Sequence, residues 1–178
     1  MNVPQHLKER ILLDDDSKRI ANGNFVLYWM CTAMRAHDNP ALDVAIEMAN
    51  NLQVPVLIYQ GLSEKYPFAS DRHHQFILEG VRSVQEECKK RGLTYVFHLE
   101  RRQDRTPYLR ILANMSSLIV TEYFPTPPLQ KVIRKLKRTT DRPIWQVDSS
   151  CLIPMLYTRK EWTRAFHFRD YYAEEREE

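Results

Sequence analysis

Between residues 25 and 147 the chain alternates five short apolar runs with stretches of helical spacing, and that alternation admits few folds. The runs occupy residues 25–30, 54–59, 93–99, 118–121 and 144–147. Strand-length runs separated by helices read as βαβ units. They call for a mostly parallel sheet with helices on both faces and right-handed crossovers. The expected fold class is α/β, a five-stranded doubly wound parallel sheet in the order 3-2-1-4-5. Its topological switch then falls between strands one and four. The loops 31–39 and 122–126 would flank the crevice where such sheets take ligands.

The helical segments carry their own punctuation. Asp38 or Asn39 can cap a helix over 40–52, with Pro40 at its first position. Ser70 or Asp71 opens a helix to about Lys90, with Phe76, Ile77, Gly80, Val81, Val84 and Cys88 at helical spacing and Arg91-Gly92 as its stop. Further helices are predicted over 106–115, 127–138 and 160–172. Residues 1–24 read as a polar lead-in arm, 25–155 as the α/β domain and 156–178 as a terminal helix or linker. No internal repeat or low-complexity tract interrupts this order.

Several functions are disfavoured. Only four glycines occur, Gly23, Gly61, Gly80 and Gly92, so no glycine-rich phosphate loop can form. GxSxG, HExxH and CxxC are missing. His73 and His74 are adjacent and diverge by about 100° on a helix, so they cannot share one metal. Asp14, Asp15 and Asp16 read as a solvated acidic turn. The three cysteines, Cys31, Cys88 and Cys151, are widely spaced and expected to be reduced. A formal charge of +3 is too small to argue for nucleic acid by itself, and the basic stretch 131–138 reads as the solvated face of an amphipathic helix. With no apolar run of membrane length and no signal pattern, an intracellular, cytoplasmic protein without membrane association is expected.

The first strand and its loop carry a resemblance. Trp29, Arg35 and the run Asp38-Asn39-Pro40-Ala41-Leu42 form W-x5-R-x2-DNPAL, which resembles the opening loop of the photolyase/cryptochrome N-terminal domain. Tyr28-Trp29-Met30 is closer to the class II cyclobutane-pyrimidine-dimer photolyases. Phe76, Leu78, Gly80 and Val81, then Val120-Thr121-Glu122-Tyr123 with Pro125, then Gln146-Val147-Asp148-Ser149 follow in the family's order. Two departures stand out: Thr126-Pro127 replace an expected Leu-Arg, and Trp162 stands where Tyr is expected.

The resemblance implies a Rossmann-like antenna domain that holds a light-harvesting chromophore and performs no catalysis alone. A deazaflavin is the chromophore expected, with FMN, FAD or folate as alternatives. In the family the photochemistry belongs to FAD in a large helical domain, which is not expected within 178 residues. The partner expected is therefore a separate helical FAD-binding domain, or a second copy of this chain, with DNA held weakly if at all. No catalytic or metal residue is assigned. The cofactor-binding residues expected are Trp29, Met30, Arg35, Asn39, Glu122 and Tyr123, which would supply an apolar wall and a few aimed polar groups. Two other functions compete: a nucleotide-binding α/β module, and an interaction subunit that presents an apolar face.

Overall fold

The computed structural model describes residues 3–13, 19–65, 69–127, 129–157 and 161–175. The acidic turn at Asp14–Asp16 lies outside the described residues. One sheet organises the chain, with strands β1 (Ile11–Leu13), β2 (Val26–Trp29), β3 (Val56–Ser63), β4 (Thr94–Glu100), β5 (Leu118–Glu122) and β6 (Ile144–Val147). Their order is β1-β6-β5-β2-β3-β4. The expected five strands are therefore six, and the order gains a member at one edge. The extra strand comes from the lead-in arm: Ile11, Leu12 and Leu13 pair antiparallel with Val147, Gln146 and Trp145. Three residues are too few to show an alternating pattern, so no strand signal is visible there. The remaining five pair in parallel.

The sheet is buried on both sides, which is why its strands read as continuous apolar runs. Val26, Tyr28 and Met30 face one way, into a core shared with helix α2 (Pro40–Leu52) and helix α3 (Asp71–Lys90). Leu27 and Trp29 face the other, against α4 (Tyr108–Met115) and α5 (Leu129–Lys137). Helix α2 buries Leu42, Val44, Ala45, Met48 and Ala49. Each large side chain in that stripe contributes about 1.5–3 kcal/mol. A short helix, α1 (Gln5–Lys8), precedes β1, and α6 (Ala165–Glu175) closes the chain. The helices expected over 106–115, 127–138 and 160–172 are thus shorter or later than the spacing predicts. Pro107 precedes α4 without a side-chain cap.

Strand β3 departs most from expectation. It runs through Gly61 to Ser63 rather than ending at Tyr59, because β4 pairs with it along seven residues. Strand β2 stops at Trp29, level with Tyr59. The β3–β4 pair therefore overhangs the centre of the sheet and forms a wall beside the loop that follows β2.

Candidate binding cleft at the carboxyl ends of the strands

The loop 31–39 leaves β2 at the topological switch and is held on every side. Its central support is Glu122, the last residue of β5, which is fully buried. The Tyr28 hydroxyl donates to Glu122 Oε1 at 2.5 Å, and the Cys31 backbone N–H donates to Oε2 at 2.8 Å. Asn39, also buried, donates its amide to the Tyr28 hydroxyl (2.9 Å), to the Ala33 carbonyl (3.1 Å) and to the Arg35 carbonyl (2.9 Å). Its Oδ1 accepts from the Leu42 N–H at 3.2 Å, which makes it the N-cap of α2. One side chain thus closes the loop and starts the helix. Asp38 takes a positive φ of 47° just before it, a conformation Asp tolerates better than most residues.

Other elements brace the loop from outside. The Arg91 guanidinium at the end of α3 donates to the Ala36 carbonyl. His37 meets Glu87 at 3.0 Å. On the overhang, buried Gln60 donates to Met34 Sδ and accepts from the Tyr95 hydroxyl at 2.6 Å. Towards β6, Arg35 Nη2 donates to the Ser149 carbonyl at 2.8 Å, and Ser149 Oγ accepts from the Ala41 N–H at 3.1 Å.

The loop after β6 is built around Asp148, whose carboxylate accepts from the N–H groups of Ser150 (3.1 Å), Cys151 (3.0 Å) and Met155 (2.9 Å). Arg10, at the start of β1, donates to the carbonyls of Cys151 (2.8 Å) and Leu152 (2.9 Å). The N-terminal arm and the two loops enclose a cleft of ≈ 490 Å³. Its polar lining includes His6, Arg10, Arg35, Ser150 and two acidic residues, Asp38 and Asp43; Leu152 and Pro40 supply apolar surface, and Leu7 lies almost wholly in the core below. Leu152 is 88% exposed at the rim. The size lies within the range of small-molecule sites, and two guanidinium groups held by backbone carbonyls, set beside Asp38 and Asp43, suit a polar ligand that carries both acceptor and donor groups.

Electrostatics mark the interior as structural. Burial lifts the Glu122 carboxyl above its ordinary range, against the pull of its hydrogen bonds from Tyr28 and Cys31. Burial, then the Glu122 charge, push the Tyr28 phenol and the Cys31 thiol well up. Cys31 is thus held as a thiol, not a nucleophilic thiolate. Asp43 is also raised by burial, offset by Arg91 and His6. No cluster of metal-ligating side chains occurs among the described residues.

Of the residues expected from sequence to bind a cofactor, Arg35 lines the cleft. Met30, Asn39 and Glu122 are buried beneath it, on the α2 side of the sheet. Trp29 points to the opposite face, against α4 and α5. Half-buried Tyr123 donates its N–H to the Val147 carbonyl at 2.8 Å. Sequence reasoning passed over Tyr28, which looked like one more strand residue, and Gln60, which followed what looked like a strand end. It also missed His6 and Arg10 in the arm. Only Asp148-Ser149, as part of a resemblance, carried any signal for the β6 loop.

The chain is similar to known proteins of one family. The DNA photolyase family model matches residues 26–177. The deoxyribodipyrimidine photo-lyase of Methanothermobacter thermautotrophicus is 32% identical over 133 residues, covering 75% of this chain and 29% of its own. The deoxyribodipyrimidine photo-lyase of Arabidopsis thaliana is 27% identical over 73% of this chain and 26% of its own. The Potorous tridactylus protein of the same name is 26% identical over 83% and 28%. The chain thus spans under a third of the length of these relatives. Among solved structures, the universal stress protein from Archaeoglobus fulgidus overlays 70% of this chain and 98% of its own, at 17% identity and TM-score 0.47. No helix among the described residues is long and apolar enough to cross a membrane. With the matched region running from β2 to the end of α6, this chain belongs to the DNA photolyase family and corresponds to its N-terminal α/β domain.

Proposed function

We propose that this chain is an antenna-type domain of a photolyase repair system and binds a light-harvesting chromophore in the cleft between the arm, the β2 loop and the β6 loop. The observation that carries this is the cleft itself. It sits at the carboxyl edge of a parallel sheet and is lined by two braced arginines, by Asp38 and Asp43, and by apolar Leu152 at its rim. Those residues fit a planar molecule with an anionic group and N–H or O–H donors: Arg10 and Arg35 would hold its charge, Asp38 and Asp43 would accept from its donors, and Leu152 would cover its rings. When bound, the chromophore supplies near-UV to blue absorption and passes the excitation on without chemistry by this domain. The protein's part is to orient the ligand and exclude water.

A deazaflavin is the chromophore favoured, in keeping with the class II character of Tyr28-Trp29-Met30; FMN, FAD and folate are the alternatives. The partner proposed is a helical FAD-binding domain in trans, or a second copy of this chain. A nucleotide-binding role is less well supported, because the loop 31–39 contains no glycine through which phosphate could approach the backbone.

Gel filtration of the protein after incubation with a deazaflavin, FMN, FAD or folate tests the reading. One of the four should co-elute with a shifted absorption band, and Arg35→Ala should cut its retention about tenfold, the loss of one charged contact. Failure to retain any of the four, or retention indifferent to Arg35→Ala, overturns it.

A further inference from the structure

A second concavity lies on the far face of the sheet, between α4 and α5. Leu109, Val132 and Leu136 give it an apolar floor, Arg110 and Lys135 line it, and its volume is ≈ 260 Å³. Val132 is 42% exposed, and Ile111 nearby on α4 is 43% exposed. The surrounding charge is one-sided. The two helices that form the groove carry Arg110, Lys131, Arg134, Lys135 and Lys137 and no Asp or Glu. The whole chain carries only +3, so its positive charge is concentrated here. Among the described residues no carboxylate pairs with Arg110, Lys131, Lys135 or Arg138.

We propose that the α4–α5 groove docks an acidic amphipathic peptide segment of a partner protein. Apolar side chains of the segment rest on Leu109, Val132 and Leu136, and its carboxylates meet Arg110, Lys135 and Lys131. Two features of the groove select this partner. Duplex nucleic acid leads with its phosphates and keeps its base faces stacked inside, so it has little apolar surface to set on the floor. A bilayer is flat and cannot enter a concave groove. An acidic helix satisfies both requirements, an apolar anchor in a pocket with charges at the rim. The rim charges set the association rate and its salt dependence. The site stands apart from the chromophore cleft, on the Trp29 face rather than the Tyr28 face.

The test uses the purified full chain and a fluorescein-labelled synthetic helical peptide rich in Glu and Leu. A twin peptide of equal charge carries Ser in place of every Leu. A short DNA duplex and phosphatidylserine vesicles serve as the other polyanions. The Glu/Leu peptide should bind roughly tenfold more tightly than its twin, and Val132→Asp should weaken it by a similar factor. Lys135→Glu, at an exposed position that leaves folding intact, should weaken both peptides and flatten the salt dependence. Equal binding of the two peptides, tighter binding of the duplex or vesicles, or indifference to both substitutions overturns the proposal.

Discussion

The Tyr28 hydroxyl donates to the Glu122 carboxylate across the two central strands at 2.5 Å, and neither residue reaches solvent. This contact joins β2 to β5 at the topological switch and anchors, through Cys31 and Asn39, the loop that presents Arg35 to the cleft. The stability of the sheet centre and the shape of the cleft therefore share one set of hydrogen bonds.

Removing the carboxylate should be costly. Glu122→Ala leaves the Tyr28 hydroxyl and the Cys31 N–H without their acceptor in a dry interior, and the expected loss is about 3 kcal/mol in urea unfolding. Tyr28→Phe removes the donor to Glu122 Oε1 instead, while the Asn39 amide keeps the Ala33 and Arg35 carbonyls, for about 2 kcal/mol. In a double-mutant cycle the two losses should fall well short of adding, because both break the same contact.

The same pair should shape the pH dependence of stability. Burial raises the Glu122 carboxyl above its ordinary 4.5, so the native state binds that proton at higher pH than the unfolded chain. Its contribution is complete below 4.5 and is lost as pH rises through the folded value. Tyr28, raised above its ordinary 10.0, adds a second loss as pH climbs past 10.0. Relative to wild type, Glu122→Gln should flatten the stability curve on the acid side, and Tyr28→Phe on the alkaline side. Parallel curves from denaturant titrations across pH would contradict both.

Asn39 serves two roles that substitution can separate. Asn39→Asp keeps the oxygen that caps α2 but loses the amide donors to Tyr28, Ala33 and Arg35. Asn39→Ala loses both, and the cap alone is worth about 1 kcal/mol. Hydrogen exchange at the Leu42 amide should accelerate in Asn39→Ala more than in Asn39→Asp, whereas loop amides from Cys31 to Asp38 should accelerate in both.

Two glycines should respond in opposite directions. A Cβ on Gly23 would overlap the backbone of Ser116 and Ser117, so Gly23→Ala should destabilise by about 1–3 kcal/mol. A Cβ on Gly80, in the middle of α3, meets nothing, so Gly80→Ala should stabilise by about 0.5–1 kcal/mol. Thermal midpoints of the two variants on either side of wild type are the expected result.

Much of the fold was legible because buried parallel strands write themselves as unbroken apolar runs and α2 carries both its cap and its proline in sequence. Strand β1 was not, since its pairing with β6 depends on a partner more than 130 residues away. The extension of β3 past Gly61 was hidden for the same reason: β4 decides it. In the cleft, the chemistry-bearing letters Asn39 and Glu122 were visible, but not which way they point. A carboxylate at a strand end reads alike whether it faces a ligand or a tyrosine, and only the parity shared with Val120 puts Glu122 beside Tyr28. His6 and Arg10 were illegible because they reach the cleft through β1.

The sheet has unlike borders. On one side β1 runs antiparallel along β6 and takes up its hydrogen-bonding groups; on the other, β4 ends the sheet with half-exposed Val96 on its length. Both margins are open edges, but β1 is three residues long and offers a foreign strand few hydrogen-bonding groups, whereas β4 offers seven residues. Losing the first thirteen residues would bare β6 in place of that short margin strand and lengthen the edge open to a foreign strand.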